Sequence, residues 1–328
     1  MSRFDVLTLG NALVDVLVHA DDDFVARTGV EPGAMTMVDA ARSDEIYAEM
    51  GVAVEMSGGS AANTAAGVAA FGGKSAFIGR VSDDTFGKVF SHDLRSVGVH
   101  FDAPLATTGE PTGRCLVIVT PDAQRTMCTF LGAGAELDES YIDEALVAAA
   151  AVTYLEGYVW DPPAAKEAVR RAAAIAHRAD QRVALTLSDP FCVERHREEF
   201  LDLIAGHIDI LFANEDEITS LYEVATFDEA LHRVKGHCEI AALTRGKHGS
   251  VIVAGDDVHV IDAHPAKVVD TTGAGDLFAA GFLYGLTHGY GLATCGQLAS
   301  LGAAEVISHL GARPAESLAE LARPLLGA

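Results

Sequence analysis

The stretch VVDTTGAGDLFAAGF, residues 268–282, sets three small residues and a carboxylate between two apolar runs. Gly273-Ala274-Gly275 read as a turn into a helix, because DLFAAGFLYGLTHG follows with an apolar helical pattern. Asp276 then falls in the first helical turn. Free N–H groups and the positive end of the helix dipole attract anions there, and small residues let a phosphate approach the backbone. An aspartate at a helix start is also an ordinary helix stabiliser. Local grounds leave both readings open.

Around this turn the chain alternates between short apolar runs and helical patterns. DVLTLG (5–10), KSAFIGRV (74–81), AVTYLEG (151–157), RVALTLS (182–188), IDILFAN (208–214) and EIAALT (239–244) read as buried strands. SAANTAAGVAAFG, DDTFGKVFSHDLRSVG and PAAKEAVRRAAAIAHRA read as helices between them, and the acidic run Asp21-Asp22-Asp23 as a helix start. That alternation predicts a parallel sheet covered on both faces. Residues 12–38 and 105–130 break the rhythm, with PDAQ (121–124) as a hairpin turn between two strands. They predict a small antiparallel sheet standing off the main domain, either as a lid or as an edge extension.

The 328 residues suffice for one large domain with a small appendage. A formal charge of −24 argues against a nucleic-acid partner. The five cysteines, Cys115, Cys128, Cys192, Cys238 and Cys295, are scattered and read as reduced thiols of a cytoplasmic protein. The N-terminal apolar run is interrupted by aspartates and reads as a strand rather than a signal peptide. No apolar segment looks able to span a membrane, and the thirteen histidines show no metal-ligand spacing.

The segment DTTGAGDLFAAG (270–281) resembles the C-terminal signature of the PfkB carbohydrate kinase family, also called the ribokinase family. The resemblance runs in order through SGGSAANTAAGVAAFGG (57–73), ANEDE (213–217) and LTRGKHGS (243–250). It implies a ribokinase-like three-layer α/β/α sandwich with a mainly parallel central sheet and a small antiparallel β lid. It implies one kinase chain over 1–328, with the core in about 1–11, 39–104 and 131–328 and the lid in about 12–38 and 105–130. ATP and Mg²⁺ are the implied cofactors, with K⁺ as a candidate third.

By the same resemblance Asp276 is the general base for a substrate hydroxyl, and Gly273, Ala274 and Gly275 form an anion hole for the phosphoryl group. Asn214 and Glu217 sit near the ATP phosphates, with Glu217 ordering Mg²⁺ through water. Their i, i+3 spacing also suits an N-cap with its capping-box partner. Thr244, Gly246 and Gly249 lie along ATP, and Asp270 with Thr272 match a monovalent-cation position.

The opening LGNALVDVLV, the LSDPF stretch (187–191) and EPTGRCLVIVT resemble adenosine kinases within the family. This implies that Asn11, Asp15, Gly58, Gly59 and Asn63 hold the ribose and that Arg125 reaches the phosphates from the lid. The implied reaction is ATP-dependent phosphorylation of a purine nucleoside 5′-hydroxyl, adenosine foremost, as in purine salvage. Met35 departs from the pattern, standing where eukaryotic adenosine kinases carry a glutamine that contacts the purine. Phe101, Phe130, Tyr158, Trp160 and Phe191 are candidates to stack on a base. A kinase of ribose, fructose or ketodeoxygluconate remains the alternative, as does an inactive ligand-binding homologue. Monomer and homodimer are both compatible. No G-x-G-x-x-G follows the first strand, so a dinucleotide-binding dehydrogenase fits poorly.

Overall fold

The computed structural model describes residues 3–121 and 124–327. An eight-stranded sheet forms the body. Its strands are β1 (Phe4–Leu9), β5 (Ser75–Ile78), β8 (Ala150–Glu156), β9 (Arg182–Thr186), β10 (Ile210–Asn214), β11 (Ile240–Thr244), β12 (Ser250–Ala254) and β13 (Asp257–Ile261). They lie in the order β13-β12-β11-β10-β9-β8-β1-β5; the six strands from β5 to β11 run parallel, and β12 and β13 are antiparallel. All six strands expected from the apolar runs are present.

Alternation along these strands divides the interior in two. In β10, Ile210 and Phe212 face one core, while Leu211 and Ala213 face the other. Fully burying such an aliphatic or aromatic side chain contributes about 1.5–3 kcal/mol, so both faces must be covered. One is covered by α3 (Ser60–Ala70), α10 (Ala274–Thr287), α11 (Leu292–Val306) and α12 (Leu318–Leu326). The other is covered by α5 (Glu144–Ala148), α6 (Pro163–Arg178), α7 (Pro190–His207), α8 (Glu215–Tyr222) and α9 (Phe227–Val234). Helices α3 and α10 approach closely because Gly67 lacks a side chain: a Cβ there would come 2.6 Å from the Cβ of Ala280.

A second sheet has five strands in the order β3-β7-β6-β2-β4: β2 (Leu13–His19), β3 (Met35–Met37), β4 (Val54–Gly58), β6 (Thr112–Val119) and β7 (Arg125–Gly132). The β6–β7 and β2–β4 pairs are antiparallel, whereas β2–β6 and β3–β7 run parallel. Strand β4 corrects the expected boundaries: it belongs to this sheet although it lies within 39–104. It pairs with β2 from Leu13↔Gly58 to Leu17↔Val54, which satisfies the backbone on the far side of β2. Asp122 and Ala123 of the expected PDAQ turn lie outside the described residues.

One face of the small sheet, with Val14, Val16, Val18, Leu116, Ile118 and Cys128, packs into the main core. Phe24 and Val25 of α1 (Asp22–Thr28), Ile46 of α2 (Ala40–Glu49) and Phe90 and Leu94 of α4 (Thr85–Ser96) belong to the same core. The Asp21 side chain caps α1, as the acidic run predicts. Only Gly10, Asn11 and Ala12 separate β1 of the large sheet from β2 of the small one. The five cysteines are free, and no helix among the described residues is long and apolar enough to cross a membrane.

Candidate active site

The large sheet aims its parallel strands so that the expected site residues follow their C-terminal ends, where open α/β sheets bind ligands. Asn11 follows β1, Glu156 ends β8, and Asn214 and Thr244 end β10 and β11, opposite each other in the ladder. From β8 to β10 and β11 is about 10–15 Å across the sheet, room for the phosphates of a nucleotide to lie between.

Asp276 sits in the first turn of α10 and is held from α3. Ser60 Oγ donates to Asp276 Oδ1 at 2.7 Å, and Asn63 Nδ2 donates to Oδ2 at 2.9 Å. Burial raises the Asp276 pKa above the usual carboxylate range, while those two donors and Arg313 act to lower it. The amide orientation leaves Asn63 Oδ1 buried and without a partner. An unsatisfied buried acceptor is costly in isolation, and a ligand hydroxyl would satisfy it.

Gly273 caps α10 with φ 77°, in the left-handed region that favours glycine. A Cβ at Gly273 would also press on Ala312 at 2.9 Å, whereas one at Gly275 would meet nothing within 4 Å. Among the described residues none accepts a hydrogen bond from the N–H of Gly273 or Gly275; that of Ala274 reaches Thr271 O at 3.3 Å. Two free donors at a helix N-terminus, with open space at Gly275, suit an anion.

Asn11 lies in the passage between β1 and β2, and Asp15 in β2. Glu156 accepts from Asn11 Nδ2 at 3.0 Å, from Asn11 N at 3.3 Å and from Ala61 N at 2.8 Å. This fixes the amide so that Asn11 Oδ1 stays available as an acceptor. Burial pushes the Glu156 carboxyl up to about 7 despite the three donors. Asp15 is likewise pushed up to about 7 by burial, with Arg313 lowering it and Asp276 raising it. A Cβ on Gly58 would lie 2.3 Å from the Asp15 carboxyl, and Gly59, at φ 93°, would collide with the Asn11 carbonyl at 2.2 Å. The two glycines thus admit the Asp15 carboxyl and the Asn11 carbonyl at once.

On the face of the small sheet that carries Asp15, Val54, Leu17, Val117, Met127 and Met35 form one cross-strand row. Met56, Asp15, Cys115, Thr129 and Met37 form the next. Met35 and Met37 remain 44% and 52% exposed, so both rows end in exposed apolar side chains. From the same face, Arg125 Nη1 pairs with Asp270 Oδ1 at 2.6 Å.

The remaining expected residues are placed as follows. Asn214 and Glu217 form a full capping box at the start of α8, and each Glu217 oxygen accepts one hydrogen bond from Asn214. Burial pushes Glu217 up to about 7. A carboxylate so engaged keeps lone pairs for metal-bound waters, which fits a hydrated Mg²⁺ better than direct coordination. No group of three or more metal-ligating side chains occurs among the described residues. Gly246 and Gly249 turn the chain between β11 and β12 with φ 53° and 77°. Asp270 fits a free cation poorly: Thr272 N at 2.7 Å and Arg125 occupy Oδ1, and Gly311 N occupies Oδ2 at 3.0 Å. Phe101 and Trp160 are core residues at 1% exposure and cannot stack on a ligand; Phe191 is 72% exposed. Sequence reasoning missed Ser60, Glu156 and Arg313. The quoted stretch 57–73 contains Ser60, but nothing near Glu156 or Arg313 signals a role.

The sequence profile described as "pfkB family carbohydrate kinase" matches residues 34–318. The chain belongs to the pfkB family. A structure titled a probable sugar kinase protein from Rhizobium etli is 49% identical, with a TM-score of 0.93 over 99% of both chains. A structure of an adenosine kinase from Sinorhizobium meliloti is also 49% identical, with a TM-score of 0.92 over 98% of this chain and 99% of that one. A 5-dehydro-2-deoxygluconokinase of Listeria monocytogenes is 29% identical over 266 residues, 76% of this chain and 80% of its own length. As a pfkB kinase the chain is a phosphotransferase with an alcohol acceptor. The small-molecule acceptors named among these relatives differ.

Proposed function

We propose that this pfkB kinase transfers the γ-phosphoryl group of ATP to the ribose 5′-hydroxyl of a purine nucleoside, adenosine foremost. The observation that carries the reading is the apolar row from Val54 to Met35 beside Asp15. A nucleoside has a polar sugar for the carboxylate and a flat, weakly polar base for the row, and methionine packs well on such rings. A small sugar acid has nothing to lay there. The Sinorhizobium relative supports the same substrate class.

The chemistry then follows from the side chains. Asp15, Asn11 Oδ1 and Asn63 Oδ1 accept hydrogen bonds from the ribose hydroxyls. Asp276, fixed by Ser60 and Asn63, takes the proton of the attacking hydroxyl. The free N–H groups of Gly273 and Gly275 neutralise the transferring phosphoryl group, the main demand of such a reaction. Magnesium, when bound with ATP, supplies further neutralisation of phosphate charge, with Glu217 holding its waters. The Arg125–Asp270 pair holds the small sheet over the site, which excludes water from the transfer.

A sugar-kinase reading has support in the names of the Rhizobium and Listeria relatives. One experiment separates the two: MgATP consumption with adenosine, guanosine, inosine, cytidine, ribose, fructose and ketodeoxygluconate, and Asp276→Asn as control. Turnover of a purine nucleoside alone sustains the proposal; turnover of a free sugar alone overturns it.

A further inference from the structure

Arg313 lies between α11 and α12, next to Ala312, which backs the Gly273 turn. Its guanidinium donates four hydrogen bonds: Nη1 to Ala62 O at 2.7 Å, Nη2 to Ser57 O and Ser57 Oγ at 2.9 Å each, and Nε to Ser57 O at 3.3 Å. Ser57 and Ala62 flank the Gly58-Gly59 turn, and between them and just beyond stand Ser60 and Asn63, the two donors to Asp276. Asp93 of α4 braces Ser57 from the other side, accepting from its N at 2.8 Å and its Oγ at 2.5 Å. The acceptors of Arg313 are neutral oxygens, so its charge acts on the surrounding carboxylates Asp93, Asp15 and Asp276.

We propose that Arg313 is a positioning residue for phosphoryl transfer: its fork fixes the turn from which Ser60 and Asn63 hold Asp276, and its charge favours the anionic form of that carboxylate. This rests on the reading of Asp276 as the base. Asp276 accepts from Ser60 and Asn63 of α3 and interacts electrostatically with Asp15 of β2, Tyr154 and Glu156 of β8 and Tyr158 of the turn after β8. Those ionisable groups are anionic or neutral. Arg313 is the one cation that acts on Asp276 among the described residues, and it opposes the effect of burial. A base must be ionised to accept a proton, so loss of the cation moves the loss of activity on acidification to higher pH.

The test is the pH profile of kcat at saturating MgATP and a saturating acceptor, whichever the wild type turns over, for wild type, Arg313→Met, Arg313→Lys and Asp276→Asn. Saturation separates Asp276 from the acceptor-binding Asp15, on which Arg313 also acts. In Arg313→Met the midpoint of the acid limb should rise by about one pH unit. In Arg313→Lys the limb should stay near its original place while kcat falls several-fold, because one ammonium cannot span both carbonyls and Asp276 is held less firmly. Should Arg313→Met fail to fold, Arg313→Gln, neutral but still a donor to Ser57 or Ala62, is measured in its place. An unmoved acid limb in the neutral variant overturns the proposal. Undiminished turnover in Asp276→Asn would instead unseat the base itself, so the two failures are distinct.

Discussion

Arg125 Nη1 stands 2.6 Å from Asp270 Oδ1 and ties β7 of the small sheet to the segment that leads into the Gly273 turn. Both side chains are withdrawn from water, at 16% and 1% exposure, so the contact is little screened. Asp270 also accepts from Thr272 N and Gly311 N, which holds its carboxylate in one orientation. The expected lid arginine is thus paired with the expected cation ligand. A monovalent cation at Asp270 has to compete with a guanidinium already in contact.

Breaking this pair from one side leaves a poorly hydrated charge without a counter-charge. A double-mutant cycle with Arg125→Met and Asp270→Asn, read by urea unfolding, should give a coupling of about 1–3 kcal/mol. A coupling below about 0.5 kcal/mol, the size seen for exposed pairs, would mean the lid is not held here.

Asp276→Asn retains a partner for Ser60 and removes a charge that burial disfavours, so the fold should be kept with no loss of stability at neutral pH. Activity should fall roughly 10²–10⁴-fold, the usual contribution of a positioned general base. Single-turnover transfer from ATP at saturating acceptor measures this directly.

The glycine turn allows a contrast between neighbours. Gly273→Ala places a side chain at φ 77° and against Ala312, so it should both destabilise the fold and abolish turnover. Gly275→Ala meets no protein atom and should leave the urea midpoint nearly unchanged. It should still lower kcat, because the methyl group intrudes on the anion hole proposed for the phosphoryl group. Equal stability losses in the two variants would contradict the open space next to Gly275.

Asp15 has its folded-state pKa raised from 3.8 to about 7, chiefly by burial. A carboxyl shifted upward binds its proton more tightly in the folded state. Its contribution to stability is therefore full below the unfolded pKa and is lost as pH rises toward about 7. Unfolding of Asp15→Asn and wild type should differ progressively more in favour of the variant from about pH 4 to pH 7, then by a constant amount. Acceptor KM should rise in the same variant while kcat changes less. A stability difference independent of pH would place Asp15 in ordinary solvent.

Much of the architecture is legible locally because buried parallel strands are written as short apolar runs. IDILFAN and EIAALT announce β10 and β11 without knowledge of their neighbours. Strand β4 is not announced: VEMSG mixes a charge, a hydroxyl and a glycine, and becomes a strand only when β2 offers its edge. The same holds for the site. Asp276 stands in a recognisable turn, yet Ser60, which holds it, is 216 residues away, and Arg313 is 256 residues from Ser57. Glu156 reads as the end of an apolar strand, and only folding brings Asn11, 145 residues distant, onto it. Groups that orient other groups have no periodicity or spacing of their own.

The three-residue passage Gly10-Asn11-Ala12 between the two sheets makes Asn11, the proposed acceptor ligand, part of the joint itself. If the small sheet swings, the backbone that carries Asn11 swings with it, and the Glu156 contacts to its N and Nδ2 must stretch or break. On the proposed reading of Asn11, gripping the acceptor and closing the cover would then be one event rather than two in succession. A molecule that engages Asn11 firmly would clamp the joint even if it never touched the ATP side. Resistance to such a molecule could arise by loosening Glu156, at the cost of an enzyme that no longer knows when it is shut.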